Sequence, residues 1–239
     1  MRNTTGTTPI WKAIADTLRA DLAEGRYVPG DKLPTEAALA ERFGVNRHTV
    51  RHGISALVDE GLVRTRRGAG VFVASTPTDY PIGRRVRFHE NLIAAGRQPE
   101  KRVLQVETRS ATQGEASALD IEVGGAVCAY YGLSLADGQP IAIFESLFPL
   151  DRLSGLIAAL NETSSVTEAL RSVGIADYTR ATTRLTAVRA NATQALHLQL
   201  SEGDPLLRSS GVNVDEGDQP VEYGRTWFAG DRVTLTLES

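Results

Sequence analysis

Cysteine is nearly missing from this sequence of 239 residues, since Cys128 is its one example. A single thiol excludes an internal disulfide framework and a cysteine-based zinc site, and it is typical of a reducing cytoplasm. The sequence also lacks a run of about 18 apolar residues, which excludes a membrane-spanning helix. Its first residues contain no apolar segment of the secretory-signal type. We therefore expect a cytoplasmic protein.

Catalytic and metal-binding patterns are missing as well. The four histidines form no HExxH motif and no pairing with a nucleophile. Gly68 and Gly70 lie between two predicted strands rather than at the start of a helix, so they are not a dinucleotide fingerprint. The sequence predicts no catalytic residue, no metal and no cofactor.

The net charge of −3 hides an uneven distribution of charge. Residues 1–75 contain 11 Lys and Arg against 8 Asp and Glu, whereas residues 76–239 contain 15 against 21. The acidity therefore belongs to the C-terminal part, and a small basic excess remains at the N-terminus. With so small an excess, affinity for a nucleic acid depends on where the cations lie and on dimerisation.

Residues 33–73 contain a helix-turn-helix pattern. Thr35 is a candidate N-cap, Gly44 suits the left-handed residue that ends a helix, and Asn46 is a second candidate N-cap. The second helix has an apolar face formed by Val50, Ile54, Leu57 and Val58. Two short strands, 62–65 and 71–73, follow around a basic turn with glycines. This order predicts a winged helix-turn-helix that reads DNA.

The rest of the chain predicts a second domain of α+β class. Residues 74–81 have the composition of a linker, so we divide the chain into a DNA-binding domain over 8–75, a linker over 76–83 and a second domain over 84–239. Strands alternate with helices there without βαβ regularity, which favours an antiparallel sheet. We expect a helix near 84–95 and one continuous strand over 178–189.

The N-terminal motifs resemble those of the GntR family of bacterial transcription regulators. The matching segments are Leu33-Pro-Thr-Glu36, Leu39-Ala-x-x-Phe43-Gly-Val45, Arg47-x-Thr-Val-Arg51, Leu57-x-x-x-Gly61-Leu62 and Arg67-Gly-x-Gly70-x-Phe72-Val73.

The C-terminal part resembles the UTRA effector domain of the HutC-type subfamily. Its marks are Arg87-Phe88, Leu135-Ala-Asp-Gly-Gln-Pro140, Pro205-Leu-Leu207, Gln219-Pro-Val-Glu-Tyr223 and Asp231-Arg232. Within the subfamily, Arg87-Phe-x-x-Asn91-Leu92, Glu145 and Arg184 are most similar to regulators of phosphonate metabolism.

The resemblance implies a homodimer that represses transcription at an inverted-repeat operator and leaves the DNA when a small effector binds. Two alternatives stay open. In the first alternative, the chain is an effector-free DNA-binding protein whose second domain only dimerises. In the second, it is a lyase-type enzyme with an appended DNA-binding domain, since the UTRA domain is similar in fold to chorismate lyase.

Several residues of the predicted DNA-binding domain are candidates for contact with DNA. Arginines on the second helix can grip a guanine or a phosphate, and basic residues at a wing can reach the minor groove or its phosphates. The helix N-terminus at Thr35 can hold a phosphate. The predicted DNA-binding residues are Thr35, Arg47, His48, Thr49, Arg51, Arg66, Arg67 and Gly68.

The candidates for the effector pocket follow from the second resemblance. Subfamily members that bind phosphosugars have two arginines where this sequence has Gly132 and Ser134, so a phosphosugar ligand is disfavoured. Arg184 is the preferred cation for an anionic effector, whereas Glu145 lies one residue beyond the usual acidic position, which alternation along a strand turns to the other face. The predicted pocket residues are Arg87, His89, Asn91, Ser134, Glu145, Ser165, Arg184 and Tyr223.

Overall fold

A computed structural model describes residues 9–66, 68, 70–74, 77–85, 88–163 and 165–237. The chain divides into two compact units, residues 1–76 and 77–239. The described elements of the N-terminal unit are α1 (Ile10–Ala23), α2 (Glu36–Phe43), α3 (Arg47–Asp59), β1 (Val63–Arg66) and β2 (Gly70–Val73). β1 and β2 pair antiparallel, as the predicted wing requires.

The core of the N-terminal unit lies between its three described helices. Leu18 of α1, Leu39 of α2 and Val50 and Leu57 of α3 have no exposed side-chain surface. These residues are the apolar stripes that the helical period predicts, and their burial fixes α3 with its polar face toward solvent.

The C-terminal unit is an α+β domain, as predicted. Its described strands are β3 (Thr78–Pro81), β4 (Pro99–Ser110), β5 (Ala126–Ala136), β6 (Gln139–Pro149), β7 (Thr179–Arg180), β8 (Arg184–Arg189), β9 (Pro205–Val214), β10 (Pro220–Ala229) and β11 (Val233–Thr236). Its described helices are α4 (Phe88–Ala94), α5 (Gln113–Leu119), α6 (Leu156–Glu162), α7 (Val166–Ser172) and α8 (Ala192–Leu198).

A seven-stranded antiparallel sheet organises this unit, in the order β4-β5-β6-β10-β9-β7, with β8 also pairing β9. Successive side chains of a strand point to opposite faces. Tyr130 and Phe144 pack with α6 and α7 on one face, and Leu133 and Ile143 pack with α8 on the other. The sheet therefore has a helix layer on each side.

Three expectations about this unit need correction. Residues 78–81 are not linker, because β3 pairs in parallel with β11. The helix expected near 84–95 is described over Phe88–Ala94, and residues 84–85 are not helical. The continuous strand expected over 178–189 is broken into β7 and β8, and this break changes which side chains face the interior.

Candidate functional site

Two side-chain caps fix the turn between α2 and α3. Thr35 Oγ1 accepts a hydrogen bond from Ala38 N over 3.2 Å, and Gly44 has φ +64°. Asn46 Oδ1 accepts from both Thr49 N over 2.9 Å and Thr49 Oγ1 over 3.0 Å. The predicted caps are confirmed, and the Thr49 hydroxyl has an internal partner that holds it at the first turn of α3.

The N-terminal end of α3 presents an exposed basic surface. Arg47 and His48 are exposed, and the side chain of Arg47 forms no hydrogen bond or ion pair with any residue in the described ranges. His52, on the next turn, stacks on Trp11 of α1 with ring centroids 4.2 Å apart. Arg47 is therefore the cation of α3 that is available to an external acceptor.

Arg51 is paired within the protein. Its Nε donates to Glu36 Oε1 over 2.9 Å, and its Nη2 donates to Oε2 over 2.6 Å. These hydrogen bonds lower the pKa of the Glu36 carboxyl. They tie α2 to α3, while the guanidinium stays largely exposed to solvent. Contact of Arg51 with DNA remains a prediction, and any such contact must compete with Glu36.

The wing differs in part from its predicted role. Gly68 is exposed with φ +75°, as a tight turn requires. Arg66, in contrast, is 8% exposed and holds its guanidinium 4.3 Å from the centroid of the Phe72 ring. This packing disfavours its predicted contact with DNA, which remains a prediction. Arg67 lies outside the described residues.

The C-terminal unit contains a cavity of about 280 Å³ on the sheet face that α4 and α7 cover. Apolar and aromatic side chains line part of it, among them Tyr80, Phe88, Phe144, Tyr178 and Phe228. Its ionisable lining residues are His89, Glu90, Lys101, Glu168, Arg171, Tyr178, Arg180 and Glu222. Of these, Glu90, Glu168 and Arg171 are exposed and form the outer part of the site.

A chain of hydrogen bonds crosses the floor of the cavity. Arg180 Nε donates to Asn213 Oδ1 over 2.6 Å, and Asn213 Nδ2 donates to Glu222 Oε2 over 2.6 Å. Ser146 Oγ donates to Glu222 Oε1 over 2.5 Å. Glu222 and Asn213 are opposite each other on β10 and β9, so the strand register creates the contact. The side-chain amide of Asn213 therefore holds Arg180 at its oxygen and Glu222 at its nitrogen.

Lys101 enters the cavity from β4. Its Nζ lies 5.3 Å from the centroid of the Phe144 ring and 5.7 Å from that of Phe88. Burial lowers the pKa of this ammonium. Burial and the neighbouring charge of Lys101 also lower the pKa of His89. The cavity wall therefore carries a desolvated cation.

Three of the predicted pocket residues line this cavity: His89, Ser134 and Ser165. The prediction omitted Lys101, Arg171, Arg180, Asn213 and Glu222. Glu222 belongs to a motif that carried the UTRA resemblance, so that motif was the available signal. Lys101 and Arg180 gave no local signal, since they reach the cavity from opposite ends of the sheet order.

Four other predictions are corrected. Glu145 points to the opposite face from Phe144, where it pairs with Arg225 over 2.9 Å. Tyr223 packs on that same face against Leu147 and its neighbours. Arg184 is exposed on β8. Asn91 lies outside the lining and donates from Nδ2 to Pro81 O over 3.1 Å, which ties α4 to β3. A fifth predicted residue, Arg87, lies outside the described residues.

Two further observations concern metal binding and membrane-spanning helices. Within the described ranges, no group of three His, Cys, Asp or Glu side chains is arranged to hold a metal ion. None of the helices in the described part of the chain has the length and apolar character needed to cross a membrane.

Comparison with known proteins agrees with this geometry. Residues 11–73 match the model of the bacterial regulatory proteins of the gntR family, and residues 94–234 match that of the UTRA domain. The chain is 36% identical over 231 residues to an HTH-type transcriptional regulator of Rhizobium meliloti, covering 96% of this chain and 95% of the relative. It is 34% identical over 230 residues to the probable transcriptional regulator PhnF of Escherichia coli, covering 95% and 94%.

A solved structure is similar in fold to this chain. The crystal structure of PhnF from Mycobacterium smegmatis matches with a TM-score of 0.65 at 27% identity, covering 95% of this chain and 98% of that one. The two matched domain models together span most of the sequence. This chain belongs to the GntR family of bacterial transcriptional regulators and carries a UTRA domain as its second unit.

Proposed function

We propose that the chain is a ligand-responsive repressor that binds an inverted-repeat operator as a homodimer in the cytoplasm and leaves it when an effector fills the cavity of the C-terminal unit. One observation carries the proposal: a single chain combines an exposed recognition helix, whose Arg47 forms no ion pair with the described residues, with a charged cavity in the second unit. A relative from Bacillus subtilis, 26% identical over 227 residues, is named as the transcriptional repressor NagR, which supports repression.

Geometry favours a dimer on DNA. A winged helix places one recognition helix in the major groove, and two such helices related by a two-fold axis match two inverted half-sites. The basic excess of the N-terminal residues is small. Doubling the contacts in a dimer supplies the affinity that one head with Arg47 and the wing would lack.

Release by an effector requires differential binding. A ligand shifts the chain away from its DNA-binding arrangement only if it binds another arrangement more tightly. The cavity can provide that difference, because its ionisable groups would be paired in the liganded form. This favours an effector-responsive protein over one whose second unit only dimerises, and the relatives named as transcriptional regulators support a function without catalysis.

The proposal is tested by DNA-binding titrations of the full chain in the presence of small molecules. Fluorescence anisotropy of a labelled duplex, selected by the protein from random sequences, should report a compound that weakens binding. The Lys101→Met variant should lose this response, whereas Arg184→Met, which changes an exposed cation outside the cavity, should keep it. Equal responses in both variants would contradict release through the cavity.

A further inference from the structure

Glu222 is a buried carboxylate that forms no ion pair with the described residues. It is 8% exposed, and it accepts hydrogen bonds from two neutral donors, Ser146 and Asn213. No lysine or arginine of the described ranges forms an ion pair with it. A carboxylate accepts about four hydrogen bonds. Two acceptor positions of Glu222 therefore remain for a donor that enters the cavity.

Lys101 carries the opposite charge in the same cavity. Its ammonium lies against the faces of Phe88 and Phe144, and the described part of the chain offers its Nζ no hydrogen-bond acceptor or carboxylate within ion-pair distance. Its exposure is intermediate, so water hydrates it only in part. An ammonium has three donor hydrogens, and leaving them unused away from water is costly.

Both groups line the same cavity, and the charge of Glu222 attracts the Lys101 ammonium, but the two form no ion pair and burial outweighs the attraction. Buried charges in proteins are normally paired. A simple anion would pair with Lys101 and leave Glu222 without a cation, while a simple amine would do the reverse. Only a ligand that carries both charges pairs both groups at once.

We propose that the cavity binds a small zwitterion, whose anionic group is held by Lys101 and whose ammonium group donates to Glu222. The inference rests on the proposed function, because it takes the cavity as the effector site. The volume of about 280 Å³ lies at the lower end of ligand pockets, which favours a short metabolite. The anionic group is a carboxylate or a phosphate-type oxyanion, since an ammonium can pair with either.

Asn213 contributes to the selectivity of this arrangement. It holds the Arg180 guanidinium at Oδ1 and the Glu222 carboxylate at Nδ2, so both side chains keep fixed orientations. Fixed partners lower the entropy that binding would otherwise cost. Asn213 is therefore a positioning residue for the site.

The test compares ligands that are matched in length and differ in charge. Calorimetric titrations of the full chain use γ-aminobutyrate, butyrate and butylamine, together with aminopropyl phosphate and propyl phosphate, and each series is extended from two to six carbons. At least one zwitterion should bind about tenfold more tightly than its matched anion and its matched amine. The carboxylate and phosphate series distinguish the two sources of the anionic group.

Variants assign each charge to its residue. Glu222→Gln should reduce the affinity of the zwitterion to that of the matched anion, and Lys101→Met should reduce it to that of the matched amine. Arg184→Met should bind as the parent chain does. Thermal unfolding of unliganded Lys101→Met checks folding. The substitution removes the cost of burying an ammonium but also loses its contacts with Phe88 and Phe144, so the melting temperature should change little. A large drop would instead assign Lys101 a structural role and overturn the proposal.

Three results would overturn the ligand class: anions that bind as tightly as zwitterions, affinities that Glu222→Gln leaves unchanged, or no binding by any zwitterion of the series. Anisotropy of the bound duplex separates this failure from failure of the proposed function. DNA release by a plain anion would support effector control and contradict the zwitterion. Binding of a zwitterion without DNA release would support the ligand class and contradict effector control.

Discussion

Arg51 of the recognition helix and Glu36 of the preceding helix share two hydrogen bonds, of 2.9 and 2.6 Å. The pair places a carboxylate beside the surface that we assign to DNA. An arginine already neutralised by a carboxylate adds little to the release of counterions from DNA phosphates. The relationship therefore bears on both the strength and the salt dependence of DNA binding.

We expect Glu36→Gln to free Arg51 for phosphate contact. The slope of log K against log salt should become steeper by about one unit, and affinity for DNA of any sequence should rise at low salt. Glu41→Gln is the matched control, since it makes the same charge change on α2 at an exposed residue that forms no ion pair with the described residues. Equal slopes for the two variants would mean that net charge alone matters.

Arg66 should contribute to stability rather than to DNA binding. Its guanidinium packs on Phe72 at 4.3 Å, so Arg66→Ala should lower the free energy of unfolding by about 1 kcal/mol through lost cation–π and stem packing. Chemical denaturation measures this change. The salt slope for DNA binding should match that of the parent chain, and a decrease of about one unit would restore Arg66 as a phosphate contact.

A cluster of four charges, where α5 packs on the sheet face opposite the cavity, should make stability depend on pH. Glu115 pairs with Arg109 and Arg225, each over 2.7 Å, and Glu145 joins both arginines. Hydrogen bonding from Arg109 outweighs the effect of burial and lowers the pKa of Glu115 to about 2 from its ordinary value of 4.5.

A carboxyl whose pKa is lower in the folded chain stabilises the fold above pH 4.5, and this stabilisation is lost as the pH falls through 2. Between pH 6 and pH 3 the parent chain should lose about 2 kcal/mol through this group. Glu115→Gln should be less stable than the parent chain at pH 6. On acidification to pH 3 its free energy of unfolding should fall by about 2 kcal/mol less than that of the parent. Glu122→Gln, at an exposed position, serves as control. Parallel pH curves for Glu115→Gln and the parent would contradict the assignment.

Gly132 should tolerate no side chain. A Cβ there would lie 2.5 Å from Arg102 O and 2.7 Å from Phe144 Cζ. Gly132→Ala should destabilise the chain by about 1–3 kcal/mol and push the Phe144 ring into the cavity, which weakens ligand binding. Gly114→Ala, where a Cβ on helix α5 meets nothing within 4 Å, should be neutral or stabilising. Thermal unfolding compares the two.

Local signals made the DNA-binding unit predictable. Residues close together in the sequence identify the caps Thr35 and Asn46, the left-handed Gly44 and the apolar stripe through Leu57. The structure confirms these features. The packing of Arg66 on Phe72 was not predicted, because a basic hairpin residue gives no local sign of such a contact. That contact depends on the pairing of β1 with β2.

The cavity was less predictable, because long-range strand pairing assembles it. Arg184 was preferred on the assumption of one strand over 178–189, but the break after Arg180 leaves Arg180 at the cavity and Arg184 on the surface. The alternation argument for Glu145 was correct, since Phe144 faces the cavity and Glu145 faces away. Lys101 and Glu222 meet only through the order of strands in the sheet.

The central claim is that Arg47, exposed at the start of α3, reads the operator. Selection of duplexes from random sequence by the full chain should enrich two inverted half-sites spaced by about one helical turn, or about 10 base pairs. On that duplex, at matched salt, Arg47→Ala should bind more weakly by about 1–3 kcal/mol and with relaxed base preference, while Arg184→Ala should bind as the parent does. Unchanged affinity and preference in Arg47→Ala would contradict the account.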